Sequence, residues 1–491
     1  MRSDNRVAIA WLATFVALGV ALALLYPDSY QQDGGVHFLF ARDAWWNHLL
    51  LVDVWGRPAF TLLYAIPARL GYLPAKLTTV LICAITAWQT YRVADEQGMS
   101  RAGLAIPFLL LQPSVMLLAA DTMTEPLFAC LFVIALRLHF RGATRAALVV
   151  ASMLPLARPE GFFVCALWAV WALWSPASRA RSVPLSRRAR ELPLLAAGVA
   201  VWWVAAFIIS HDPAFLLHNW PHNWTPTGAV YGTAPWLSYW TARNEIVPRV
   251  LMPVFAIGVC IAIAARRSLE AVSVVAMLFI VHSLLRHYGM FGSAGYPRYF
   301  VCVAPAIALI TLEGWNAIAD LIDAIGPAEG GRKEMVVRAG TWVAATLALL
   351  LALRASLYYV DDQATNRDAR AIAAANSWLD AHPVPVRTMA WSLAYMCIVR
   401  RCDSSHRLAL LDGDRDGNVA RLRAASGSTL VFWDAETGPA WYAISDADLR
   451  SAGYSPLFVG DYDLSAVFQR RLWYPAPWRR QQRMMLYYKA S

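Results

Sequence analysis

A series of long apolar runs, separated by short polar connections, constrains this chain more than any other feature. The runs fall at roughly 7–26, 77–94, 102–120, 125–140, 144–157, 161–175, 192–210, 247–265, 270–286, 299–316 and 339–359. Most approach the roughly 20 residues a helix needs to cross a hydrocarbon layer. A soluble globule cannot bury so many such segments, and the composition agrees: 58% hydrophobic, 15% charged, mean hydropathy +0.42. The expected fold class is a polytopic α-helical membrane protein with about 11 transmembrane helices. The two short runs at 144–157 and 161–175 flank Arg158-Pro159-Glu160-Gly161 and suit a re-entrant pair or tilted helices. The first run follows Arg2 and Arg6 without a small-residue cleavage site, which favours a retained helix over a signal peptide.

A net charge of +10 would fit a nucleic-acid binder, but the arginines stand between the apolar runs rather than along one face. That placement excludes nucleic acid as the partner and makes the charge a topology signal, with anionic membrane lipids as its counterpart. Arg92 and Arg101; Arg137, Arg141 and Arg145; Arg179, Arg181, Arg187, Arg188 and Arg190; Arg266 and Arg267; and Arg332, Lys333 and Arg338 mark alternate loops as cytoplasmic. With the N-terminus inside, the opening loop, the Asp121 turn, the 211–246 loop and the 286–298 loop share the outer face. An odd number of crossings puts the C-terminus there too, and a bacterial inner membrane is the expected location.

Within the first outer loop, 36–54 and 58–70 mix aromatic, aliphatic and charged residues, as interfacial helices do. Beyond residue 360 the charge rises and the apolar runs shorten. A helix signal at 366–381 precedes strand-like 384–391, 429–433 and 455–459. The expected organisation is therefore a membrane domain at 1–360 and a small extracytoplasmic α/β domain at 361–491. Five of the cysteines lie in apolar runs, and only Cys397 and Cys402 are placed to form a disulfide.

Chemistry-bearing residues gather in the outer loops. Asp33, followed by Gly34-Gly35, either approaches a ligand as a general base, where a tight glycine turn would help, or caps the interfacial helix. Asp121 and Glu125, in Asp121-Thr-Met-Thr124-Glu125-Pro126, either cap a helix or add carboxylates to the same site. Six outer arginines, Arg57, Arg158, Arg243, Arg249, Arg286 and Arg298, lie outside the topology rule. Some snorkel, but Arg158 and Arg298 stand beside helix ends, where a fork of donors suits phosphate. The aromatic loop from Trp220 to Trp240 reads first as a membrane belt. His37, His48, His218 and His222 lack metal-ligand spacing, so no cofactor is required; a divalent cation on Asp33, Asp121 and Glu125 stays open. No Walker A loop, dinucleotide fingerprint or nucleophile elbow is present.

In order and sidedness these motifs resemble the GT-C superfamily of polytopic glycosyltransferases, which includes protein O-mannosyltransferases of the bacterial glycosyltransferase family 39 type, aminoarabinose transferases and GPI mannosyltransferases. The carriers are Gln32-Asp33-Gly-Gly-Val-His37-Phe, Trp55-Gly-Arg-Pro58, Thr124-Glu-Pro-Leu-Phe128, Ala157-Arg-Pro-Glu-Gly161 and Arg298-Tyr299 before a proline-containing helix. The stretch 367–380 also looks like the helix opening the extracytoplasmic domain of bacterial members. The resemblance implies a polyprenyl-phosphate sugar donor and transfer to an acceptor at the outer face. It makes Asp33 the general base, Arg158, Arg298 and Arg57 the holders of the lipid phosphate, and Asp28, His37, His222 and Tyr299 substrate contacts. O-mannosyltransferases pair Asp with Glu in the first loop; here Gly34 follows Asp33, which leaves Asp33 to work alone, with Asp28, or with Asp121 and Glu125. Three rival readings are a lipid or glycan transporter or flippase, which would show paired halves and midplane charges, a polymerase or ligase of lipid-linked glycans, which differs in acceptor rather than donor, and a non-catalytic scaffold of the same fold.

Overall fold

A computed structural model describes residues 3–26, 32–174, 184–221, 224, 232–325, 332–364, 367–402, 406–411, 413–463 and 481–490. Asp28 and His222 lie outside the described residues. The chain divides into two compact units: residues 1–25 with 40–360, and residues 26–39 with 361–491.

The first unit is helical. Five of its helical segments are long and apolar enough to cross a membrane: Asn5–Leu25, Leu185–Ser210, Leu269–Tyr288, Pro297–Ala324 and Val343–Val360. Three shorter apolar helices, Thr144–Ala157, Glu160–Trp174 and Arg249–Ala264, accompany them. Against the expected eleven, five segments among the described residues have the length and apolarity of a membrane span. Outward-facing Val201, Val204, Phe207 and Ile208 are exposed on one helix, as side chains facing lipid would be. The chain is an integral membrane protein.

One expected span is not a single helix. Residues 102–120 form a 3-10 turn followed by two six-residue helices, Ala105–Leu110 and Pro113–Leu118. Pro113 forces its predecessor out of the helical region, and Gln112 is extended at φ −67°, ψ 123°. The break lies in the core, since every residue from Ala105 to Cys130 is buried. The chain's own side chains meet the exposed backbone and the polar groups around it: Ser356 donates to the Leu111 carbonyl at 2.6 Å, and Gln112 donates to the Phe108 and Ala304 carbonyls.

The helix Glu125–Arg141 organises the unit, packing on Tyr72–Glu96 and on the turn before Ala304. Its 17 residues span about 25 Å. At its C-terminal end Glu96 gathers Arg92, Arg137 and Arg141 within 3.1 Å, so arginines assigned to one face by topology do meet. Its N-terminal end carries Glu125. The helices Met252–Ala264 and Ala304–Ile325 cross at Gly258 and Gly314, where any Cβ would run into the partner's backbone carbonyls, Ile310 O and Val254 O.

The second unit has a four-stranded sheet of β1 (Thr388–Trp391), β2 (Thr429–Asp434), β3 (Ser455–Asp463) and β4 (Gln481–Lys489), in the order β1-β2-β4-β3. β1 and β2 are parallel, and β4 runs antiparallel to both of its neighbours. Val431, Trp433, Leu422, Leu449, Met485 and Tyr487 fill its core. The first-loop helix runs Gln32–Asp43 and is followed by a single 3-10 turn, His48–Leu51, so the expected interfacial helix at 36–54 begins earlier and ends sooner. Gly34 and Gly35 lie inside that helix with ordinary negative φ rather than in a tight turn.

Candidate active site

Three breaks in the helices of the first unit bring its charges together. The Arg158-Pro159 break between Leu154–Ala157 and Glu160–Trp174 turns the Arg158 guanidinium inward. Its Nε and Nη2 bind both oxygens of Glu160 at 3.1 and 2.8 Å, while Nη1 meets Thr124 Oγ1 at 3.0 Å and Glu125 Oε1 at 2.9 Å. Such a planar fork can satisfy several oxygens at fixed angles, which an ammonium cannot. Glu125 is fully buried at the first turn of its helix and also faces Arg298 Nε at 3.7 Å. Arg298, in the turn Pro297–Val303, reaches Met123 Sδ and lies over the rings of Tyr296 and Tyr299.

Asp121 sits just before this turn, fully buried. Its Oδ1 accepts from Tyr72 at 2.8 Å and from the Thr122 amide at 2.7 Å, and its Oδ2 has no hydrogen-bond partner among the described residues. Burial pushes its pKa up, against the pull of nearby Lys76. Lys76 is buried in the helix Tyr72–Glu96.

Arg57 caps the helix Pro58–Leu70 in a left-handed conformation, φ 63°. That strained backbone holds its guanidinium over Trp224, 4.3 Å from the ring centroid, with Nη1 donating to the Val54 carbonyl. Burial and the neighbouring Arg158 lower its pKa to about 9. Arg57 and Arg158 open onto a cavity of about 270 Å³, shared with Glu160, His282 and Tyr299 and walled by Phe162, Phe163, Trp220, Leu285 and Phe291. His282 stacks on Tyr299 at 4.9 Å and brings Nε2 to 3.7 Å from Glu160 Oε1.

The expected residues Asp121, Glu125, Arg158, Arg298, Arg57 and Tyr299 thus share one unit and one cluster. Asp33 and His37 do not: they belong with the second unit, on successive turns of one helix face, Asp33 half-buried and His37 buried. His48 is exposed, and His218 pairs with Asp212 at 2.7 Å. Glu160, His282 and Lys76 are not among the residues the sequence motifs assign to the site. Glu160 follows Arg158 in the Arg158-Pro159-Glu160-Gly161 stretch, and Lys76 is a solitary cation at the start of the apolar run 77–94, a signal in itself. His282, in a stretch of valine and leucine, gave no pattern. Among the described residues no three His, Cys, Asp or Glu side chains group as metal ligands; Asp121 and Glu125 face cationic side chains instead.

No family model matches the chain, and no curated protein matches it by sequence. Among solved structures the fold is similar to that of ArnT from Cupriavidus metallidurans in the apo state, at 12% identity and a TM-score of 0.61, with 97% of this chain and 98% of that one covered. A looser likeness is to the arabinofuranosyltransferase AftD from Mycobacteria, at 15% identity and a TM-score of 0.47, covering 98% of this chain and 40% of that one.

Proposed function

We propose that this chain, which has the GT-C fold, is a membrane glycosyltransferase that takes a sugar from a polyprenyl-phosphate donor and passes it to an acceptor hydroxyl at the outer face. The cavity carries this reading: Arg57 and Arg158, with Glu160 and His282, supply its charged and polar lining, and Phe162, Phe163, Trp220, Leu285 and Phe291 supply an apolar one. A donor with an anionic head and an isoprenoid tail needs that pairing of surfaces. The acceptor oxygen forms a bond to the anomeric carbon as the bond from that carbon to the phosphate oxygen breaks. The electron pair leaves on the lipid phosphate, and Arg57 and Arg158 stabilise the charge that develops there. Arg298 bears on the same step through Glu125, which it shares with Arg158.

Asp33 takes the acceptor proton in this reading, on the strength of the family likeness and its place in the first outer loop. The arginine-rich connections lie on the cytoplasmic side of a bacterial inner membrane, and residues 361–491 form an extracytoplasmic domain. No cofactor enters the scheme, because cationic side chains meet the leaving-group charge.

Mass spectrometry of lipid retained through purification tests the donor. A polyprenyl phosphate is expected with the wild-type protein and at least tenfold less with Arg57→Ala. Equal retention by the variant would remove the phosphate role from Arg57. Asp33→Asn is expected to abolish transfer while leaving lipid retention intact.

A further inference from the structure

The first-loop helix that carries Asp33 does not stand alone: its part from Gln32 to Leu39 is built into the second unit. Tyr26–Leu39 clusters with Asp361–Ser491 rather than with the helices that precede and follow it in sequence. Two contacts fix it. Gln32 Nε2 donates to the Ser392 carbonyl at 2.9 Å, and the Ala394 amide donates to Gln32 Oε1 at 2.8 Å. One side-chain amide therefore satisfies a donor and an acceptor of the backbone just beyond β1, as a neighbouring strand would. Three residues on, Gly35 lets the helix touch the short helix Tyr395–Val399. A Cβ at Gly35 would lie 3.5 Å from Ala394 Cβ and Ile398 Cδ1 and 3.6 Å from the Tyr395 amide nitrogen, so only a small residue fits at that spacing. Gly34, Gly35, His37, Phe38 and Leu39 are all buried.

We propose that residues 361–491 act as a clamp on the Asp33 helix and that Gln32 is a positioning residue for transfer, holding the adjacent carboxylate through the backbone of 392–394. The proposal rests on Asp33 as the base. An amide gripping two backbone groups restrains rotation of the helix end, and misplacement of a reacting group by about 1 Å can cost on the order of a hundredfold in rate. Loss of the clamp is therefore read in kcat and not in donor affinity.

Two measurements on the full-length protein test it. Gly35→Cys with Ala394→Cys places two Cβ atoms at disulfide distance, so mild oxidation is expected to join peptides 32–43 and 388–399 in a mass-spectrometric map. Absence of that crosslink would overturn the docking, whatever the role of Asp33. Gln32→Ala is expected to lower kcat at least tenfold with the donor KM unchanged, and oxidation of the triple variant should recover most of the loss. An unchanged kcat in Gln32→Ala, or an equal loss in kcat and donor affinity with no recovery on crosslinking, would overturn the positioning role. Should Asp33→Asn retain transfer while the crosslink forms, the base assignment falls and the docking stands.

Discussion

At the level of single residues, charges in this molecule work in groups, and the grouping decides what each can do. Arg158 is legible in the sequence as an arginine beside a helix end, but its hold on Glu160, Glu125 and Thr124 arises because Pro159 and Pro126 open two helices at the same place. Sequence spacing relates Arg158 to Glu160 and is silent about Glu125, more than thirty positions earlier. In the second unit, the buried Asp448 shows the same dependence. Its carboxylate accepts from Arg415 at 2.5 Å and closes a capping box with Ser445, and the Arg415 hydrogen bond leads the causes that lower its pKa to about 2. A depressed carboxylate adds stability that is complete above its unfolded pKa, about 3.9, and lost as pH falls through the folded value. The thermal-midpoint gap between wild type and Asp448→Asn, followed by circular dichroism, is expected to be constant above about pH 5 and to close between about pH 4 and pH 2. A gap that persists at pH 2 would show that the carboxylate stabilises by shape rather than charge.

Among the elements, periodic apolar runs foretold where helices lie better than how they end. The run at 102–120 is apolar enough for one span, yet Pro113 divides it, and its burial on all sides is set by the helices around it, which no local pattern reveals. β4 is illegible in sequence for a related reason: Gln481–Lys489 carries methionine and glutamine rather than β-branched residues, and its strand character comes from lying between β2 and β3. Helix crossings were equally hidden. Gly258 and Gly314 look like dispensable small residues in sequence, but each abuts the other helix's backbone. A backbone carbonyl cannot rotate away as a side chain can, so Gly258→Val is expected to cost about 3 kcal/mol. The thermal midpoint in detergent should fall several degrees, whereas Gly340→Ala, with open space around its Cβ, should leave it within error. Equal midpoints for the two variants would mean that the crossing yields easily.

For the whole molecule, the division into two units does not follow the order of the chain. A cut near residue 360 is visible in composition, but nothing in the composition of 26–39 assigns it to a domain that begins more than three hundred residues later. Its pairing with 392–398 is a long-range consequence of where β1 ends. That division has a measurable signature, because a cooperative unit opens and exchanges its amides together. Under mild urea in detergent, the amides of 33–39 are expected to exchange at the rate of β1 and β2 and at a different rate from the buried helices Ala105–Leu110 and Pro113–Leu118. The second unit is a sheet assembled from distant strands, so it is the one expected to open first. Exchange of 33–39 in step with 105–118 instead would make the first loop part of the helical unit, and the carboxylate of Asp33 would then owe its position to the membrane helices alone.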